Sequence, residues 1–305
     1  MAKPSRSIYA GIAVLSLCGI TAASVSASFP GRNGKLVFSS TRSGKNEIYV
    51  MDVRGTRAQR ITRTRTADSN PSVSRNGRWI AFERYNRDGK GGTREIYVAT
   101  ITGRKVRRLT RNTRDDAAPT WAPDGRRIAF RSDIDGDPEI YVIDLDTAGV
   151  VQLTFNDLVA DDDPEFSPDG TRIAFLSRRD GNSEIYVMGA DGTAQTRLTA
   201  DPAVDATPSW SPDGTRIAFE SRRGGSSDIW VMNADGSDPR QLTRGSAIER
   251  FPAFSPDGRS IVYERRRSSR SRTAIWLMRS DGARQRAVRN LRASNGTPDW
   301  QAVRR

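Results

Sequence analysis

The sequence predicts an all-β chain, a six-bladed β-propeller of four-stranded blades. Three observations lead there. First, one motif recurs at a nearly fixed period. EIYV stands at 47, 95, 139 and 184, DIWV at 228 and AIWL at 274, at steps of 48, 44, 45, 44 and 46 residues. A period of ~40–50 residues with strand-like content marks a radial repeat, one period per blade. Second, the repeats carry Asp-Gly turns between apolar runs, which are hairpin signals. Third, no segment sustains a period near 3.6, so almost no helix is expected.

The clearest copy is 208–236, PSWSPDGTRIAFESRRGGSSDIWVMNADG. PSW is a short inner strand, and SPDG is a tight turn in which Pro presets φ and Asp-Gly supplies turn chemistry. RIAF, rich in β-formers, is the second strand. A polar loop follows, then DIWVM as the third strand. A second turn (ADG) leads to a short fourth strand such as QLT. Counterparts of the first half stand at 119–125 (PTWAPDG), 164–170 (PEFSPDG) and 252–258 (PAFSPDG), with a worn copy at 71–77 (PSVSRNG).

The two ends complete each other. Residues 28–38 (SFPGRNGKLVF) read as a unit without its first strand, RNG aligning with the PDG turn and KLVF with RIAF. The missing strand stands at the C-terminus, where Asn295 to Trp300 (NGTPDW) matches the approach to Pro208. The tail is therefore expected to close the first blade, removing the open edges of the ring. Deleting the last ten residues should then wreck folding. Residues 1–27 read as a secretory signal peptide: basic Lys3 and Arg6, an uncharged run from Ile8 to Ala23, and small residues at Val25-Ser26-Ala27. The sole cysteine, Cys18, lies inside it and follows Leu17, a poor context for lipidation. The propeller spans 28–305, without a second domain.

The motif set SPDG-xRIAF, DGxxEIYVM and ADGxxxxLT resembles the repeats of the TolB propeller family, and the resemblance covers the whole chain after the leader. It implies an exported propeller that binds other proteins. TolB itself carries an α/β domain before its propeller, and none is read here.

Catalytic chemistry is narrowly bounded. The chain has no histidine and one cysteine, in the leader. Ser-His-Asp and Cys-His systems, histidine bases and histidine metal sites are excluded together. Carboxylate chemistry or an oxygen-ligand cation site remains. Three residues before each repeat's Pro stand Asp68, Asp116, Asp161, Asp205, Glu249 and Asn295. This position leads into the innermost strand, so the six are expected to ring one channel mouth as a site for a partner or a cation. Asp115, Asp162 and Asp163 thicken that charge. The second-to-third strand loops supply arginines as a rim: Arg42, Arg84, Arg131, Arg178, Arg222 and Arg265, with Arg179 and Arg223 beside them. The structural alternative is that each acid caps its own turn and pairs with a neighbouring Arg. Asp133, Asp135 and Asp137 alternate like a calcium loop, but in the frame of a hairpin turn and without the 12-residue spacing. No cofactor is expected; calcium is the one candidate.

The chain is +13, or +11 without Lys3 and Arg6, and its bases are 44 Arg and five Lys. Such charge on an exported protein draws it toward anionic envelope polymers or lipid heads, although an Arg-rich composition alone accounts for it. Repeated aromatics (Trp121, Trp210 and Trp300; Tyr49, Tyr141 and Tyr186) are expected between blades. Channel-facing positions look alike from blade to blade, which favours a scaffold over an enzyme. The expected function is an exported, non-catalytic, monomeric propeller in the periplasm, cell envelope or secreted space. It would bind an envelope or secreted protein or peptide at the channel mouth. The alternatives are a calcium-dependent hydrolase or lactonase, or a binder of anionic cell-wall polymer; nucleic acid is not expected.

Overall fold

A computed structural model describes residues 32–86, 92–288 and 293–303. The signal-peptide segment 1–27 and Cys18 lie outside the described residues. The described chain forms six four-stranded antiparallel sheets and no helix. Blade 1 combines β1 (Arg32–Ser40), β2 (Glu47–Met51) and β3 (Gln59–Arg60) with the C-terminal β24 (Asn295–Val303). Blade 2 is β4 (Asp68–Val73), β5 (Trp79–Asn86), β6 (Thr93–Thr100) and β7 (Arg107–Arg108). Blade 3 is β8 (Asp116–Trp121), β9 (Arg127–Ser132), β10 (Glu139–Asp144) and β11 (Val150–Gln152). Blade 4 is β12 (Asp161–Phe166), β13 (Arg172–Ser177), β14 (Glu184–Gly189) and β15 (Thr196–Arg197). Blade 5 is β16 (Asp205–Trp210), β17 (Arg216–Ser221), β18 (Asp228–Asn233) and β19 (Arg240–Gln241). Blade 6 is β20 (Ile248–Phe254), β21 (Ser260–Arg266), β22 (Ala274–Arg279) and β23 (Arg286–Ala287). This is the six-bladed propeller that the repeat predicts.

The local chemistry repeats as well. In the first turn of blades 4, 5 and 6 the Asp accepts from the backbone and from a Ser, as Asp169 does from Thr171 N (3.0 Å) and Ser167 Oγ (2.6 Å). The Gly that follows, such as Gly170 at φ 74°, occupies the left-handed region that costs glycine little. RIAF strands then pair with EIYV strands, Ile173 opposite Met188 and Phe175 opposite Tyr186. Their apolar faces meet the next blade, so the core is six inter-blade layers. One such layer joins Ile140 and Val142 of blade 3 to Phe166, Ile173 and Phe175 of blade 4.

The closing blade departs from the expected turn. RNG is extended strand, Arg32 pairing with Val303 and Asn33 with Ala302. No connection joins β24 to β1, so nothing there has to reverse direction, and the two ends run past each other. Leu36 lies opposite Trp300, whose Nε1 donates to Ala253 O of blade 6 at 3.1 Å. Trp210 makes the equivalent bond to Glu165 O at 3.2 Å. The closing tryptophan thus repeats what an internal one does.

Candidate functional site: the axial channel and its mouth

The uniform ring of acids is enclosed in protein. Asp68, Asp116, Asp161, Asp205, Glu249 and Asn295 begin the inner strands, and all are at most 1 % exposed. Each meets a donor. Arg84 reaches Asp68 through Nε at 2.7 Å and Nη2 at 3.0 Å. Arg179 reaches Asp161 at 2.7 Å, Arg223 reaches Asp205 at 2.5 Å, and Arg265 lies 3.1 Å from Glu249. Arg42 donates to Asn295 Oδ1 at 3.1 Å. Asp116 receives Asn112 Nδ2 at 2.7 Å instead of an arginine. Burial pushes the carboxyls of Asp68, Asp116, Asp161 and Asp205 up, against the pull of these donors, and takes Glu249 to about 7.

Of the six rim arginines, Arg42, Arg84 and Arg265 reach this ring. In blades 4 and 5 the partners are Arg179 and Arg223. Arg178 turns to Ser183 Oγ (3.2 Å) and Arg222 to Ser227 Oγ (3.4 Å). Arg131 bridges Asp133 (2.6 Å) and Asp162 (3.7 Å). The ring-bound guanidinia also lie over third-strand aromatics, Arg84 4.4 Å from the Tyr97 centroid and Arg265 4.3 Å from Trp276. Each is held between a π-face and a side-chain oxygen, a carboxylate in every case but Arg42, which meets the Asn295 amide. A second buried acid at the start of the third strand backs the ring. Glu47 receives Thr62 Oγ1 and Arg60 Nη2, both at 2.6 Å, and Glu95 receives Thr110 Oγ1 and Arg108 Nη2, both at 2.7 Å.

Asp133, Asp135 and Asp137 are engaged by three different donors: Arg131, Gln152 Nε2 and Val159 N. Among the described residues, no group of three or more His, Cys, Asp or Glu is placed to hold a metal ion.

The surface that faces the axis is two residues further along, and it differs from blade to blade. An axial cavity of about 170 Å³ is lined by all six inner strands. The residue before each Pro lines it: Asn70, Ala118, Asp163, Thr207, Phe251 and Thr297. So does the residue after it: Ser72, Thr120, Glu165, Ser209, Ala253 and Asp299. The expectation that channel-facing positions look alike is thus overturned, because the uniform position is buried beside the blade. The reason is a bulge. The inner-strand register jumps across each Pro, as between Asp162 and Glu165 in blade 4. Pro has no N–H for the ladder, and the preceding residue swings into the left-handed region. All six do so, from φ 45° at Thr297 to 51° at Phe251. Pre-proline and β-branched residues avoid this region, and such backbone costs of order 1–3 kcal/mol per residue where a fold imposes it. The signal present in the sequence was variation on both sides of an invariant Pro, at the residue before it and the residue after it.

Three carboxylates stand in this lining: Asp163, Glu165 and Asp299. Burial, with the charge of Asp299, pushes Glu165 up to about 8; Glu165 accepts from Thr120 Oγ1 at 3.1 Å. Burial takes Asp299 to about 6, although Val73 N and Trp300 N each donate to it at 2.7 Å. At the mouth Asp163 is raised well above the usual range by burial and by Asp162, Glu220 and Glu83. Arg250 lies 3.3 Å from Glu220, and Arg94 lies 3.1 Å from Asp115. The mouth is therefore a mosaic of paired charges around a polar and aromatic lining.

Comparison with known proteins agrees with this architecture. The model of the TolB beta propeller domain family matches residues 87–162 and 159–287, about two thirds of the chain. The Tol-Pal system protein TolB of Geobacter sulfurreducens is 51 % identical over 45 residues, 15 % of this chain and 10 % of that protein. Its counterpart in Desulfosudis oleivorans is 36 % identical over 55 residues, 18 % of this chain and 13 % of that one. The matches thus span about a tenth of the relatives' own length. The crystal structure of TolB from Acinetobacter baumannii superimposes with a TM-score of 0.76 at 23 % identity, over 88 % of this chain and 66 % of that one.

Proposed function

This chain belongs to the TolB beta propeller domain family, and we propose on that premise that it is an exported, non-catalytic scaffold that receives a segment of an envelope protein at the mouth of its channel. The observation that carries the reading is the channel lining: six strained pre-proline residues of different kinds around one cavity. A lining that varies from blade to blade, on a frame of repeated strands and turns, is suited to reading one partner. In this reading the acidic ring and its arginines hold the mouth open and fix its charge. Phe251 supplies an apolar anchor beside Thr207 and Thr297. The family relatives named as Tol-Pal system proteins support a protein partner. The absence of histidine from the sequence supports a non-catalytic role, and among the described residues no helix is long and apolar enough to cross a membrane.

The test is binding of detergent-solubilised envelope protein to the immobilised chain, beside its Phe251→Arg variant. A charged side chain at the mouth should weaken capture at least about tenfold while the melting temperature stays close to the parent's. Capture unchanged by Phe251→Arg, or turnover by the chain in a panel of ester and lactone assays, would overturn the reading.

A further inference from the structure

Blade 3 carries the molecule's one large inversion of charge. Residues 132–171, which run through blade 3 into the first turn of blade 4, hold twelve acids, seven of them at 133–157, and neither lysine nor arginine, so the remainder of a +13 chain is +25. The same blade differs at its outer edge. The outer strands of the other blades read Gln-Arg, Arg-Arg, Thr-Arg, Arg-Gln and Arg-Ala; in blade 3, β11 reads Val-Val-Gln and is one residue longer. The position of Val151 is occupied in β7, β19 and β23 by Arg107, Arg240 and Arg286. Charged side chains on edge strands are how sheets avoid adding a further strand, and here that device is missing.

What replaces it is apolar and open. Val150 and Val151 are 51 % and 60 % exposed, and Phe155 and Leu158, just beyond the strand, are 73 % and 93 % exposed. Ile134 joins them at the same corner, 52 % exposed, where blades 4 and 5 place Arg179 and Arg223. Contacts tie this corner together: Gln152 Nε2 donates to Asp135, and Val159 N donates to Asp137. The backbone of β11 is half used. Leu153 N bonds Ile140 O and Asp144 N bonds Gly149 O, so residues 149, 151 and 153 face β10, and the peptide groups of Val150 and Gln152 turn outward. No described strand pairs with that side.

We propose that the outer edge of blade 3 is a docking strand for an extended segment of a partner protein that alternates apolar and basic residues. Main-chain bonds to Val150 and Gln152 supply the pairing, the exposed apolar side chains supply burial, and Asp135, Asp144, Asp146 and Asp157 select positive charge. A second copy of this chain is a poorer occupant. Its own edge at this place carries the same acidic charge, and an isologous pairing would set like against like.

A ten-residue peptide alternating valine with lysine, labelled with a fluorophore, tests this by anisotropy at low salt. It should bind the intact chain at least about tenfold tighter than the valine–glutamate peptide, and tighter by a similar factor than a valine–lysine peptide with alternate amides N-methylated. Val151→Arg, at an exposed position, should abolish the difference with the melting temperature unchanged, and Phe251→Arg should leave it intact. Equal binding of the N-methylated peptide reduces the effect to charge and overturns strand addition. Binding unmoved by Val151→Arg overturns the location. Self-association that Val151→Arg removes assigns the edge to a second copy and overturns the proposed partner.

Discussion

Blades 3 and 4 are neighbouring copies of one unit, and they solve the same electrostatic problem in opposite ways. Each buries one acid at the start of its inner strand and another at the start of its third. Blade 4 brings cations to both: Arg179 to Asp161 at 2.7 Å, over the Tyr186 ring, and Arg197 to Glu184 at 2.8 Å. Blade 3 has Ile134 and Gln152 at those places. Its Asp116 is held by Asn112, and its Glu139 by Thr154 Oγ1 and Asn156 N, all neutral donors. A buried carboxylate needs hydrogen bonds first and a counter-charge second, because donors satisfy the lone pairs that burial strips of water. The repeat can therefore release its cations in one blade and keep its fold. The face so released is the acidic, apolar one.

The harshest way to break this comparison is to give blade 4 the blade 3 residue. Arg179→Ile leaves Asp161 buried with neutral side-chain donors alone, Asn156 Nδ2 at 2.7 Å among them. Removing one partner of a buried pair costs about 3 kcal/mol, read as a lower urea midpoint at unchanged slope. A midpoint equal to the parent's would mean that neutral donors suffice in blade 4 as they do in blade 3, and that the arginine ring is dispensable blade by blade.

This comparison also shows what sequence reading reaches. Blade number, strand order and the closing of blade 1 by the tail follow from period and turn chemistry, because both are local and repeated six times. The position of the site does not. Counting back three residues from Pro finds Asp68 and its equivalents, which are uniform because they are architecture. The residue directly before Pro faces the axis only because a bulge turns it there, and a bulge is a tertiary outcome of pairing with the second strand. The choice of Arg179 over Arg178, and Arg223 over Arg222, is of the same kind. Two adjacent arginines in a loop are equivalent until the loop's turn decides which one lies over Tyr186 or Trp230.

A milder change sharpens the comparison through pH. Burial, reinforced by Asp161 and Asp137, raises Glu139 from 4.5 to about 7. The folded state then holds a proton that the unfolded state has released between about pH 4.5 and 7. Stability from this group is full below 4.5 and is lost as pH rises through 7. Glu165, Glu249, Glu264 and Asp299 are raised by burial and slope the same way. Gln152→Arg would bring to Glu139 the cation that Arg60 brings to Glu47. The variant's denaturation midpoint should fall less than the parent's between pH 5 and 8. Parallel profiles would show that Glu139 is already ionised on its neutral donors.

The smallest effect on stability is expected from the substitution with the largest effect on the proposed docking edge. Val151 is 60 % exposed, opposite Val142 of β10. Val151→Arg should shift stability by no more than about 0.5 kcal/mol, the range of surface changes. The reciprocal change, Thr196→Val in blade 4, should be as mild and should create no peptide binding, because Arg197 remains beside it and no acidic run surrounds it. If Thr196→Val alone conferred binding, the gatekeeping residue would be the whole of the difference, and the twelve acids of residues 132–171 would be incidental. If it does not, edge and charge are both required, as expected for a strand that recognises a basic partner and not any extended chain.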